Sequence, residues 1–353
     1  MIAKAMAKSD VSAADKALID KLAAEFSDEL GNLGVRVSNL ERNADMVKWN
    51  GRARYMYWSH RTEGEKRTND DQLLLRLEPT AEVNQNWHVK ARLDAFTNPS
   101  KDESSNVVMK RVWAQGDYKN FQVKLGKMPF FSNETAGMLL DDQFSGAQVT
   151  FGNKLKATLE AGRWDLDSAN KQSALHKAAD ANDDDAANYQ GIMLNGAAGK
   201  LYGGAAYRHF NSNVFTHVDG FKKDADEANI WSVGAGYKFD NIWNLFGAYA
   251  KNEKAENDAT AHNIQLNYKG AQKANKGTWG AYAAYRYMGQ NVAFAPTYET
   301  FLSAGVNNVK GWEVGTEYVP FANVTAAASY FNGKKLDTDR DAELLFGRVN
   351  FWF

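Results

Sequence analysis

Seven basic residues share the polar parity of alternating segments: Arg52, Arg54, Arg76, Lys90, Arg92, Lys124 and Arg348. In the clearest segment Trp87, Val89, Ala91, Leu93 and Ala95 alternate with His88, Lys90, Arg92 and Asp94. Successive side chains of a β-strand point to opposite faces, so these cations would stand on one wall. They come from the first, second, third, fifth and last segments, which are neighbours or nearly so if the sheet closes. Acids are available in the loop 129–145 (PFFSNETAGMLLDDQFS): Glu134, Asp141 and Asp142. That loop also carries Phe130, Phe131, Met138, Leu139 and Leu140, too apolar for a solvated tip. It is expected to fold inward and pack on the wall. Acids facing a basic ladder across a water-filled constriction create a transverse field, which favours polar solutes and sets weak ion selectivity.

Chemistry of bond making finds no support. The six histidines are dispersed, with no HxxxH or HxH pair, and there is no cysteine, which removes thiolate catalysis and Cys-based zinc sites. No nucleophile elbow, phosphate-binding loop or dinucleotide fingerprint is present. The acidic run at 180–185 (DANDDD) reads as a solvated loop. No catalytic residue, metal or cofactor is expected. A net charge of -1 argues against a nucleic-acid partner.

The elements that must position the charged wall are strands. After Met46 the chain repeats a unit of alternating residues, a short turn, a second alternating stretch and a longer polar loop. About sixteen such stretches can be counted over 44–353, an even number as transmembrane barrels require. Alternation alone does not say which side faces in, since a soluble sandwich alternates too. Aromatic placement helps. Trp49, Trp87, Tyr118, Phe121, Phe151, Phe239, Trp243, Tyr268, Trp279, Tyr318 and Phe353 lie near short turns or the chain end, mostly on the apolar parity. That is a girdle at one membrane interface. The terminal FGRVNFWF fits a closing strand, with Leu345, Gly347, Val349, Phe351 and Phe353 on one side. No apolar run reaches the roughly 18 residues of a transmembrane helix. Mean hydropathy is -0.55, as expected where lipid-facing and lumen-facing residues average. The reading is an all-β transmembrane barrel of about sixteen antiparallel strands, its polar side enclosing a passage.

Ahead of the barrel, 12–43 is helical in pattern. Ile19, Leu22, Phe26, Leu30, Leu33, Val37 and Leu40 follow heptad spacing with one stutter, as in a coiled-coil stalk. Residues 1–11 read as the remnant of a preceding domain or a linker. They lack a secretory signal, so the sequence reads as a mature or truncated form.

The segment 18–40, with NLGVRVSNLE at 32–41 leading into VKWNGRARY at 47–55, resembles the coiled-coil-to-barrel junction of OmpM-type proteins of diderm Firmicutes such as Veillonella and Selenomonas. The terminal FWF is similar too, and the likeness runs loosely along the whole chain. The resemblance implies a homotrimeric outer-membrane porin, embedded in outer-membrane lipid, with a periplasmic coiled-coil stalk, passing ions and small hydrophilic nutrients. It also implies an S-layer-homology domain ahead of the stalk that grips a peptidoglycan-linked polymer. Only 1–8 resembles the end of such a domain, so wall binding is not carried over to this chain. The alternative is a structural tether between outer membrane and peptidoglycan, its barrel closed or plugged. Removal of 12–43 is expected to lower the heat resistance of the trimer on semi-native gels while the barrel still forms. Unchanged gel mobility would show the stalk to be dispensable.

Overall fold

A computed structural model describes Lys16, Leu18 and Lys21 and residues 47–182, 186–298 and 307–353. The first three are helical, whereas the heptad positions Ile19, Leu22, Phe26, Leu30, Leu33, Val37 and Leu40 lie outside the described residues.

The strands are β1 (Val47–Thr62), β2 (Thr68–Glu82), β3 (Trp87–Asn98), β4 (Glu103–Ser104), β5 (Val108–Asp117) and β6 (Phe121–Phe131). Then come β7 (Asp141–Phe151), β8 (Leu155–Asp165), the helix α1 (Ala174–Asn182), β9 (Ala186–Ala198), β10 (Leu201–Asn211) and β11 (Glu227–Lys238). The series ends with β12 (Trp243–Asn252), β13 (Thr260–Lys269), β14 (Trp279–Met288), β15 (Val309–Phe321), β16 (Val324–Lys335) and β17 (Asp341–Trp352). All seventeen belong to one sheet, but the two-residue β4 pairs only with the end of β3, so sixteen strands form the wall. Each wall strand pairs antiparallel with the next, and β1 pairs with β17 from Arg52↔Trp352 to Thr62↔Ala342. The last residue completes the seam: Gly51 N–H donates to the Phe353 carbonyl at 2.9 Å and Phe353 N–H to the Gly51 carbonyl at 3.1 Å. The sheet is a closed antiparallel barrel.

Exposure settles which parity faces out. Leu159 is 48% exposed and its neighbour Glu160 5%; Ile264 is 51% exposed and Asn263 4%; Val233 is 51% exposed and Ser232 5%. A water-soluble sheet would bury the first of each pair. Here the apolar side chains form the outer surface and the polar ones line the interior, the arrangement lipid demands. The main chain of each wall strand is paired with a strand on either side, as it must be where water is absent.

The aromatic girdle is continuous over several strands. Trp87, Tyr118, Phe121 and Phe151 follow one another at 6.5, 4.5 and 6.4 Å between ring centroids. Trp243, Tyr268 and Trp279 do the same at 4.7 and 5.2 Å. The short turns at this end have specific locks. Asn84 accepts from the N–H of Asn86 and Trp87. Asp240 accepts from the N–H of Trp243 and Ile242, which holds its carboxyl below the ordinary carboxylate range.

Boundaries differ from the sequence pattern at the other end. The loop between β1 and β2 is only 63–67, because both strands run on past their alternating stretches. Beyond the lipid band a strand can be polar on both faces, so alternation no longer marks it. The loop expected over 129–145 shrinks to 132–140: Phe130↔Asp142 and Phe131↔Asp141 are ladder pairs, placing Asp141 and Asp142 on β7. Pro320 lies within β15 rather than in a turn; the strand is irregular between Tyr318 and Phe321, and Asn323 turns the chain with φ 62°. Pro79 falls where the β2–β3 ladder is interrupted between Leu77↔Leu93 and Thr80↔Lys90.

Because Ile264 faces outward near mid-strand, Ile264→Lys is expected to destabilise the barrel by about 2–4 kcal/mol in equilibrium unfolding from lipid vesicles. Wild-type stability for that variant would contradict the outward assignment.

Candidate functional site in the barrel lumen

The loop 132–140 crosses the interior. It leaves the β6–β7 hairpin and pairs with the segment after β14, eight strands further round a wall of sixteen. Leu140 forms a parallel bridge with Ala295. Ala295 N–H donates to the Leu139 carbonyl at 2.9 Å, Asp141 N–H to Ala295 at 2.7 Å, and Thr297 N–H to Gly137 at 2.8 Å. Two inward-folded segments from opposite sides thus share main-chain hydrogen bonds. The loop holds its shape through the Ser132 hydroxyl, which accepts from Leu139 and Leu140 N–H, and through a turn with positive φ at Ala136 and Gly137.

Its tip is fastened to the β10–β11 wall. Glu134 accepts two hydrogen bonds from Arg208, at 2.7 and 3.0 Å, and one from the Ser232 hydroxyl at 2.7 Å. Both charged side chains are fully buried. Gly234 makes this approach possible, since a Cβ there would lie 1.9 Å from the Glu134 carbonyl oxygen. The short helical turn Asn133–Thr135 is therefore inside the barrel.

On the loop side of this tether the interior is apolar. Phe130 packs on Phe144, Trp164 and Tyr189 at 5.1, 6.2 and 4.7 Å. Phe294 joins from the segment after β14, stacked on Trp164 at 5.7 Å. Leu175 of α1, Val214, Phe215, Trp58, Leu344 and Phe346 belong to the same buried cluster. Leu344 and Phe346, which break the polar parity of the last strand, face inward for this reason.

All seven sequence-identified cations share the parity of the interior. Arg76 and Arg92 converge on one buried carboxylate, Asp94: Arg76 at 2.8 and 3.0 Å, Arg92 at 2.7 and 3.1 Å. Arg54 donates to Asn350 at 2.6 Å, Arg52 lies over the Trp352 ring at 5.0 Å, and Arg348 is 3.5 Å from Glu317. Lys90 is paired with Trp113 and Lys124 with Gln148 in the ladders beside them. Arg111 also belongs to this wall, donating to the Asp142 carbonyl at 2.8 Å. The sequence hides it because a register shift between Arg92 and Leu93 locally breaks strict alternation.

The acids do not form one row opposite these cations. Glu134 binds Arg208, the Asp142 carboxylate accepts from the Trp164 indole at 2.7 Å, and Asp141 accepts from the Thr297 hydroxyl at 2.8 Å. A second buried ion pair lies on β14–β15. Arg286 donates to Glu313 at 3.0 and 3.1 Å, to Asn263 at 2.9 Å and to Gln265 at 3.1 Å, and stacks over Tyr298 at 3.6 Å. The Tyr282 hydroxyl donates to the same carboxylate at 2.5 Å. Arg208 and Arg286 were not singled out from the sequence. Their signal is a lone arginine flanked by aromatics on the inward parity, in YRHF and YRYM.

Between these pairs and the short-turn end lies a cavity of about 710 Å³. Glu134, Thr297 and Tyr298 border it on the loop side, and inward residues from the later strands line its wall.

These features define a closed sixteen-stranded antiparallel barrel with an inward-folded loop. Solved structures of similar fold are engineered variants of a porin from Rhodopseudomonas blastica. One carrying two substitutions has a TM-score of 0.54 at 14% identity, covering 87% of this chain and 100% of its own. Another, with five, gives the same values; a triple mutant gives 0.53 at 13% identity with the same coverage. No family model matches the chain, and no curated protein matches it.

Breaking the Glu134 tether leaves a buried carboxylate without its counter-charge, so Arg208→Ala is expected to cost about 3–5 kcal/mol of unfolding free energy. Adding Glu134→Leu to Arg208→Met should return most of that loss. Single and double variants of equal stability would show that the pair does not hold the loop.

Proposed function

We propose that the protein is a passive channel of the bacterial outer membrane, admitting ions and small hydrophilic nutrients and catalysing no reaction. The observation that carries this reading is a cavity of about 710 Å³, lined by amide, charged and aromatic side chains, inside a wall whose outer face is apolar. A solute-sized space within a barrel of apolar outer face has its natural use in passage. The fold likeness to porins supports the same conclusion. In this reading the chain is of the OmpM type and works as a homotrimer. The segment 12–43 forms its periplasmic stalk, and any hold on a peptidoglycan-linked polymer comes through a domain ahead of it.

Selectivity is assigned to the basic wall of Arg52, Arg54, Arg76, Lys90, Arg92, Lys124 and Arg348, whereas Glu134, Asp141 and Asp142 are each held by a partner of their own. The pairing of two arginines with Asp94 leaves that part of the wall positive. A second reading has a specific observation behind it. The aromatic cluster and the main-chain bridge across the lumen would suit a closed barrel that serves as a membrane anchor for a tether.

Planar-bilayer recording separates the two: stepwise conductance is expected, and an electrically silent, folded protein would favour the tether. Neutralising Arg54 and Arg92 to Gln is expected to move the reversal potential toward cation selectivity, and Asp94→Asn to move it the other way. Reversal potentials that stay put in all three variants would remove the wall from the selectivity mechanism.

A further inference from the structure

We propose that the wall of β12, β13 and β14 is a binding track for neutral, hydroxyl-rich solutes of mono- to disaccharide size. This rests on the channel reading and specifies what the cavity recognises. Its inward residues form a grid. Asn244↔Asn267↔Tyr282 is one cross-strand row, and Phe246↔Gln265↔Ala284 is the next. A third row, Ala248↔Asn263↔Arg286, follows. Neighbouring strands are about 5 Å apart and alternate residues of one strand about 7 Å. Amides at that spacing can reach hydroxyls on two edges of one six-membered sugar ring.

The chemistry of the grid is that of a polyol partner rather than an ion. Carboxamides donate and accept, as hydroxyls do. Among the described residues the Asn267 amide nitrogen has no acceptor, while its oxygen accepts from Gln265 at 2.7 Å. The Tyr202 hydroxyl exchanges hydrogen bonds with Asn244 at 2.8 and 3.0 Å. Tyr202 also stacks on Phe246 at 6.1 Å with planes 13° apart, which offers an apolar face for the C–H side of a sugar. The two buried arginines nearby are bound to carboxylates, and Lys238 lies over the Tyr202 ring at 5.7 Å. Arg286 is held by Glu313, Asn263 and Gln265, and Arg208 by Glu134. At Arg208 and Arg286 an entering ion meets neutralised pairs, whereas a neutral polyol trades water hydrogen bonds for amide ones. The cavity volume, about 710 Å³, lies within the usual range of small-molecule sites.

The test is maltose added to single channels of the full chain in KCl. The expected result is a saturable fall in open-channel current, half-complete at millimolar maltose. Gluconate at equal osmolarity should produce at most a tenth of that fall. In the triple variant Asn244→Ala, Gln265→Ala, Asn267→Ala, with current normalised to its own open level, half-saturation should rise at least tenfold. A fall linear in maltose and matched by glycerol of equal viscosity would overturn the proposal, as would unchanged half-saturation in the triple variant. If the protein passes no current, it is the channel reading that fails. Titration calorimetry with maltose in an amine-oxide detergent then decides the track on its own: saturable heat lost in the triple variant supports it, and no heat with the wild type refutes it.

Discussion

Main-chain satisfaction in a solvent without water is the constraint on which the architecture depends. An exposed N–H or carbonyl in hydrocarbon costs several kcal/mol, so a sheet can cross a membrane only by closing on itself. Closure here falls between β1 and β17 and reaches the terminal Phe353, whose main chain is paired with Gly51. With the edges gone, the strand alternation has one stable assignment: apolar side chains outward, polar ones inward. The girdle, the polar lumen and the position of every inward charge follow from it.

The same constraint shapes the loop that enters the barrel. A segment of main chain folded into the lumen must find partners there, and 132–140 finds them in the segment after β14. Charge obeys a parallel rule. Ions removed from water need close counter-charges and full hydrogen bonding, and the buried Arg208–Glu134 and Arg286–Glu313 pairs have both. The lumen is therefore unequal. Its loop end is packed with aromatic rings, its β1–β6 wall carries excess positive charge around Asp94, and its β12–β14 wall presents amides.

Much of this was legible in the residues. The sixteen wall strands, the separation into short turns and longer loops, and the girdle come from period-two alternation and aromatic placement, both local. The seven cations share one parity because side chains alternate from face to face along a strand. Errors cluster where locality fails. A register shift hides Arg111, and Asp141 and Asp142 read as loop residues because their strand carries Phe144 on the inward face.

Sequence alone determined the barrel, its sides and the membrane-facing surface, since partition between lipid and water acts on each residue separately. Only the tertiary structure decided which charges meet. Arg208 lies 74 residues from Glu134, and Arg286 lies 27 from Glu313. The first meeting depends on a loop reaching across the barrel; the second joins adjacent strands across a long intervening loop. No local pattern encodes a distance set by the circumference of a closed wall and the fold of its loops.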